Sequence, residues 1–482
     1  MTHHGPRAGQ PGHISVGEDR WSLVVVAGVL AFVAMLDMNI VNVALADLAD
    51  GLHVSRAAAQ WAVLGYQLPV VALLLPVGRW LDGVGLRAAV LTATCGFGLC
   101  SALAATAPWM GWLIGARLMQ GACGAVLFVL MPVLAVRAVR PEMRGRAMSV
   151  PATLGPLGAV IGPAVGGLLL DHWGWRSVFL VKIPFCVLAL VLAWRAMPRD
   201  GGLRRPDLRL VADALLVASG VAVLLLTLTL AAGRPSWLVL VGAAVPMLWW
   251  WLRGPVGRPA AGLLRSAGLF RAHGAVLALA AGFAAMHYVV ALHLQRDDGV
   301  SATTTGLTVL AFPLGMGLAG PLGGRLADLP QALGSARPGG TPIGARPVAV
   351  TGAALTAAGL LLLVPLGDGW SPLDVAWRLA LAGVGLGLNG GPTQALVMGA
   401  APPDRAATVG STVQFARSLG FALGPALATA AWGLSGPGAG VRAGLALAAT
   451  AACLAVPLLA LTGSGLGPLP EKTTDAATAA HE

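Results

Sequence analysis

Apolar runs of about twenty residues recur from one end of this chain to the other, and no other feature limits its fold so strongly. Each run is long enough to cross a hydrocarbon core of about 30 Å as a helix. Inside such a core every backbone N–H and C=O must be bonded within the chain, which leaves helices and closed barrels. Barrel strands alternate between lipid-facing and lumen-facing residues; these runs do not, and they are rich in Ala, Leu, Val and Gly. The expected class is an all-α polytopic membrane protein. Composition agrees: 57% of the residues are hydrophobic and 11% charged, where soluble domains carry about 25% charge. Abundant glycine suits membrane helices, in which small residues permit close approach.

The runs fall at about 22–45, 58–77, 87–107, 112–136, 147–170, 177–197, 210–232, 236–252, 272–294, 303–324, 347–367, 374–399, 407–433 and 440–463, read as fourteen spans. Alternate loops are strongly basic. One set holds Arg79 and Arg87, then Arg137, Arg140, Arg144 and Arg146, then Arg195, Arg199, Arg204, Arg205 and Arg209, then Arg253, Arg258, Arg265 and Arg271. The other set holds isolated bases such as Arg56, Arg176 and Arg442. The positive-inside rule then puts both termini in the cytoplasm, and an even span count agrees with it. The net charge of +11 is thereby an orientation signal, and nucleic acid is not expected as a partner. The five cysteines lie within spans at no metal-binding spacing. The polar N-terminal tail is followed by a span without a convincing cleavage site, so that span is expected to be retained.

The two halves echo each other. Gly78–Asp82 (GRWLD) returns as Gly324–Asp328 (GRLAD), Gly158–Gly167 (GAVIGPAVGG) as Gly420–Ala428 (GFALGPALA), and Arg117 as Arg378. The seventh and eighth spans have no counterpart. The expected organisation is a tail over 1–20, a six-helix bundle over 21–200, an inserted helix pair over 201–264, a second six-helix bundle over 265–465 and a tail over 466–482. Parallel repeats of this kind hold their substrate between the halves.

These motifs give the chain a resemblance. LDMNIVNVALADL in the first span, GRWLDGVGLR after the second, RLMQGACGA in the fourth, GAVIGPAVGG in the fifth, and WGWRSVFLVKIP and FARSLGFALG further on resemble the major facilitator superfamily in its fourteen-helix drug:proton antiporter branch. The likeness spans nearly the whole chain. It implies two six-helix bundles plus an inserted pair, no cofactor, and export driven by a proton gradient. The chain departs from the pattern at Gly83 and Leu86, where the loop motif usually carries bases, at Cys123 in place of a glycine, and at Lys182 in place of an asparagine.

Intramembrane charges are the candidate machinery, because an ionisable group in hydrocarbon is costly to keep. Asp37 lies about 22 Å along the first span from one face, and Arg117 about 8 Å along the fourth span from the other, so both reach one depth. Burial opposes an ionised carboxylate and a nearby arginine favours it. The expectation is that Asp37, paired with Arg117, carries the coupled proton; the alternative is a fixed structural pair. His287 sits where the repeat places the counterpart of Asp37, either as a second proton site or as a satisfied buried histidine. Lys182 is expected to snorkel to the outer interface. Arg417 falls near the midplane with no acid to pair with.

Asn39, Asn42, Gln67, Gln120, Asn389, Gln394 and Gln414 are candidate cavity groups along with His287 and Arg417, and Trp61, Phe128 and Met131 suit a greasy site. The gating candidates are Gly78, Asp82, Gly85 and Arg87 in the loop motif, and Gly158, Gly162, Pro163, Gly166 and Gly167 in the fifth span. The glycines at three- and four-residue intervals make a smooth helix face suited to packing between the halves, and Pro163 permits a bend. Asp82 is expected to meet a helix N-terminus of the other half near Asp404–Thr408, or else to pair locally with Arg87.

Nothing in the sequence resembles a nucleophile–base set, a metal cluster or a phosphate loop, so an enzyme is not expected. A cavity acid among apolar walls suits an amphipathic or cationic small molecule, exported as a drug or toxic metabolite; the alternative is an endogenous metabolite or lipid. Protons, small-molecule substrate and membrane lipids are the expected partners of a monomer in the cytoplasmic membrane.

Overall fold

The computed structural model describes residues 19–462, apart from 60, 200–201, 204–210, much of 213–240, 255–256, 259–260, 263–268, 333–343, 368, 402–404 and 436–438. The described elements are helical. In chain order they are α1 (Trp21–Val43), α2 (Trp61–Leu81), α3 (Leu86–Ala105), α4 (Met110–Arg137), α5 (Arg144–Trp173), α6 (Ile183–Ala196), α7 (Val241–Arg253), α8 (Leu269–Leu292), α9 (Ala302–Ala332), α10 (Ala345–Leu361), α11 (Pro372–Gly399), α12 (Ala406–Leu434) and α13 (Gly440–Ala460). Among the described residues, nine helices are long and apolar enough to cross a membrane. The expected span over 210–232 lies largely outside the described residues; its partner is represented by α7.

Local chemistry sets several helix ends. Pro372 occupies the first turn of α11, where its missing N–H costs nothing, and Ser371 and Asp374 form a reciprocal capping box. At the end of α5 the chain turns through Gly174 at φ +71°, a conformation that favours glycine. The bundle exterior is apolar: Leu307, Leu318, Leu373 and Phe270 are exposed, as expected of a protein whose solvent is lipid. Trp109, Trp173, Trp194 and Trp250 are exposed as well, in keeping with an aromatic belt at the membrane interfaces.

The sequence repeat is a structural repeat. In the first half α1 packs on α5, α2 on α4 and α3 on α4; in the second half α8 packs on α12, α9 on α11 and α10 on α11. The halves meet through α2 with α12 and through α9 with α5, two contacts related by the same exchange. Arg20 N–H bonds to Ala138 O at 2.8 Å, so the start of α1 and the end of α4 share one end of the bundle, called here the terminal end.

The glycine face of α5 corrects the expectation drawn from its motif. A Cβ at Gly155 would meet Met35 and Ala31; at Gly162 it would meet Ile40 N at 3.2 Å and Leu36 O at 3.3 Å; at Gly166, Ile40 Cγ1 at 2.9 Å. Gly158 lies against Phe32. All these neighbours belong to α1, so the face holds two helices of one half together and does not form the seam between halves. Gly167 points to open space and Pro163 is exposed. The small residues at the seam are others: a Cβ at Gly324 would meet Gly145 O at 2.6 Å, and one at Gly391 would meet Ser149 Cα at 3.2 Å. The periodicity identified a smooth face but not its partner. The described glycines with positive φ are Gly174, Gly299 and Gly369, so the loop-motif glycines Gly78, Gly83 and Gly85 do not serve by left-handed geometry. Gly78 serves by size, since a Cβ there would meet Ala407 O at 2.9 Å and the Ser411 side chain.

Backbone neighbours cannot give way as side chains do. Gly162→Leu should therefore lower stability by about 1–3 kcal/mol or more, the cost of overpacking, read as a lower melting temperature in detergent. Gly167→Leu, with no neighbour in reach, should melt with the unmodified protein.

Candidate functional site

Asp37, Arg117 and Lys182 are each 0% exposed. Arg117 Nη1 donates to Asp37 Oδ2 at 2.7 Å, and Lys182 Nζ donates to Asp37 Oδ1. Arg117 is positioned by three further contacts. Its Nε donates to Ala62 O at 2.7 Å, its Nη1 also donates to Gln120 Oε1 at 2.8 Å, and its Cζ lies 4.6 Å from the centre of the Tyr66 ring. Gln120 Nε2 reaches Asp37 Oδ1 and Ser101 Oγ, both at 3.4 Å, and Ser101 Oγ donates to Phe179 O at 2.8 Å. The Phe179 ring lies 4.9 Å from Lys182 Nζ. One carboxylate thus holds two cations in a dry chamber walled by α1, α2, α3, α4 and the start of α6.

Asp37 and Arg117 meet as their depths require. Lys182 does not snorkel: it sits at the N-cap of α6, after the short turn Ser177–Leu180, and its ammonium turns inward to Asp37. Hydropathy could not distinguish the inward from the outward rotation, although the departure from the family's asparagine marked the position. Gln120 is a member of this cluster and is absent from the cavity wall.

The cavity is a separate space between the halves, of about 390 Å³. Its wall includes Asn39, Gln67, His287, Asn389, Gln394, Gln414 and Arg417, together with Phe128 and Met131, as expected. It does not include Asp37 or Arg117. Asn42 is exposed and bonds to Met38 O, and Trp61 is exposed at the start of α2, so neither belongs to the wall. Asn39 and Asn389 spend their amide N–H groups on Met35 O and Ala349 O. Arg417 Nη2 donates to Gln394 Oε1 at 3.1 Å. His287 stacks on Phe283 with ring centres 4.4 Å apart.

Two carboxylates close the terminal end. Asp82 Oδ1 accepts from Ala407 N at 2.9 Å and Oδ2 from Thr408 N at 3.1 Å, at the first turn of α12. Asp328 Oδ1 and Oδ2 accept from Gly145 N and Arg146 N, each at 2.9 Å, at the first turn of α5. Each acid satisfies orphan N–H groups and faces the positive end of a helix dipole in the opposite half. The expected contact of Asp82 with the stretch before Thr408 is thus formed; Asp404 itself lies outside the described residues. Arg87 turns instead to Trp194, donating to its backbone oxygen at 3.1 Å. Gly85 is the N-cap of α3 and takes no part in the latch. Burial pushes the Asp82 carboxyl up, against the hydrogen bonds from Thr408 and Ala407 that pull it down. A raised carboxyl binds its proton more tightly when shut, so mild acid does not release this latch. The second latch was legible in the echo of GRWLD by GRLAD.

The sequence profile described as Major Facilitator Superfamily matches residues 27–425, with a second match over 274–480. The chain belongs to the major facilitator superfamily. It is a membrane transporter, not an enzyme. It is 29% identical over 421 residues to the methyl viologen resistance protein SmvA of Salmonella typhimurium, covering 85% of this chain and 81% of that one. It is 29% identical over 428 residues to the multidrug resistance protein Stp of Mycobacterium tuberculosis, covering 85% and 76%. The solved structure of the human organic anion transporter MFSD10 superposes with a TM-score of 0.65 at 17% identity, over 92% of this chain and 100% of that one, a likeness of fold alone.

Breaking a buried ion pair from one side costs about 3–5 kcal/mol, because the partner is left charged and dry. Asp37→Asn should accordingly melt well below the unmodified protein, and Asp37→Asn with Lys182→Met should recover part of the loss. For the latches, hydrogen bonds to a charged group contribute about 1.5–3 kcal/mol each. Removing both acids (Asp82→Ala, Asp328→Ala) should open the terminal end, seen as faster maleimide labelling of Val413→Cys in a protein whose own cysteines have been replaced.

Proposed function

We propose that this transporter exports amphipathic small molecules across the cytoplasmic membrane in exchange for protons, by alternating access, with both termini inside. The observation that carries this reading is the sealed Asp37–Arg117–Lys182 cluster on the far face of a helix whose Met35, Met38 and Asn39 line the cavity. A change of charge in the cluster bears directly on α1, and α1 is packed on α5, which supplies a further part of the cavity wall and receives the Asp328 latch. Cluster, cavity and gate thus share two helices. The names of SmvA and Stp, proteins of resistance, favour outward transport of foreign compounds here, and the apolar cavity suits them.

The charge count favours one proton carrier in the cluster over the other. With all three groups ionised the cluster is +1. Uptake of a proton by Asp37 would leave +2 in a dry chamber, which Coulomb repulsion opposes strongly. Loss of a proton from Lys182 leaves a neutral amine beside a neutral Asp37–Arg117 pair. The exchange therefore runs between +1 and 0, with Asp37 as the fixed anion, Arg117 as its permanent partner and Lys182 as the group that gives up and regains the proton. In this scheme Asp37 organises the proton site and does not itself carry the proton.

In proteoliposomes with an imposed pH gradient, the unmodified protein should accumulate a transported dye against its concentration. Lys182→Met should keep dye counterflow and lose gradient-driven accumulation to the background of empty vesicles. Asp37→Asn should lose both stability and coupling. Full gradient-driven accumulation by Lys182→Met would remove Lys182 from the proton path.

A further inference from the structure

The cavity holds a charge that the cluster does not explain. Arg417 lies in α12 near mid-membrane and lines the cavity, with Gln394 Oε1 as its hydrogen-bond acceptor. No carboxylate occurs among the lining residues, and no described acid forms an ion pair with Arg417. The buried acid of the first half, Asp37, is spent behind α1 on Arg117 and Lys182. A guanidinium cannot shed its proton, and in a space walled by apolar groups it calls for a counter-charge. None of the described residues supplies one, which leaves that role to the occupant.

The wall around Arg417 is built for an apolar body. Phe421 lies one helical turn further along α12, and Phe283 is 5.8 Å from it, centre to centre. Gln414, one turn back on the same helix, also lines the cavity, and its amide N–H groups can donate to an anionic group. The facing wall from the first half sets the adaptable Met35 and Met131 beside the neutral amides of Asn39 and Gln67. A volume of about 390 Å³ falls in the range that holds drug-sized ligands, about 300–1,000 Å³.

We infer that the cavity takes amphipathic organic anions, with Arg417 holding the carboxylate or sulfonate and the Phe283–Phe421 wall holding an aromatic body. This rests on the reading of the cavity as the transport site and sets its substrate class. The guanidinium fork matches a carboxylate in two parallel hydrogen bonds. A lipophilic cation in the same place would meet a like charge at low dielectric, which disfavours it. The expectation of a cationic substrate depended on an acid facing the cavity, and Asp37 faces away from it.

Binding to the full chain in lipid nanodiscs tests this without any proton gradient, so it is independent of the coupling scheme. The probes are naphthoate, its neutral methyl ester, and methylquinolinium, which matches it in size and carries a positive charge. The unmodified protein should bind naphthoate more tightly than the ester and more tightly than methylquinolinium. Arg417→Gln should weaken naphthoate by about 10- to 100-fold, the loss of a charged hydrogen-bonding partner, and leave the ester unchanged; Arg417→Lys should recover part of the difference. If the ester or the cation binds the unmodified protein as well as naphthoate does, the inference is overturned, whether or not the variants fold. Equal naphthoate binding by Arg417→Gln overturns it as well. Should anion binding hold while gradient-driven export fails, the coupling scheme falls and the substrate class stands.

Discussion

The structure turns on a carboxylate that has no water to face. Asp37 lies wholly inside the first bundle, and the cost of keeping it ionised there is met by Arg117 from α4 and Lys182 from the start of α6. Those contacts fix the relative depth of three helices. They also order the groups around them: Gln120 bonds to Arg117, Asp37 and Ser101, and Ala62 O accepts from Arg117 Nε.

The cavity follows a different logic. It is wide, mostly apolar and only loosely specified in shape, and its single guanidinium stands on the second half of the repeat while the acid stands in the first. The two halves thus differ in their charges: one buries its ion cluster, the other turns Arg417 to the cavity. The latches keep the symmetry that the charges have lost. Asp82 and Asp328 each reach across to a helix N-terminus of the opposite half, and the glycines beside them, Gly78 and Gly324, leave room for the backbones to touch.

What the sequence misjudged, it misjudged for one reason. The glycine face of α5 was legible as a face, yet it packs on α1 within its own half. Lys182 was legible as an odd charge, yet it turns inward. Asn42 and Trp61 were legible as unusual groups in a span, yet both are exposed. Periodicity and depth give one coordinate along a helix and one angle around it. They do not say which neighbour stands at that angle.

The sequence by itself determined the class of fold, the repeat and the depth at which Asp37 and Arg117 meet, and it offered the latch at Asp82 as one of two readings. These follow from hydrocarbon thickness, helix rise and the recurrence of short motifs, all of which are linear properties of a chain. Only the tertiary structure decided that Lys182 completes the cluster, that Asp37 stands behind the cavity wall, and that Arg417 faces into it unmatched. These depend on which face of each helix meets which neighbour, and that is settled by packing among six helices at once.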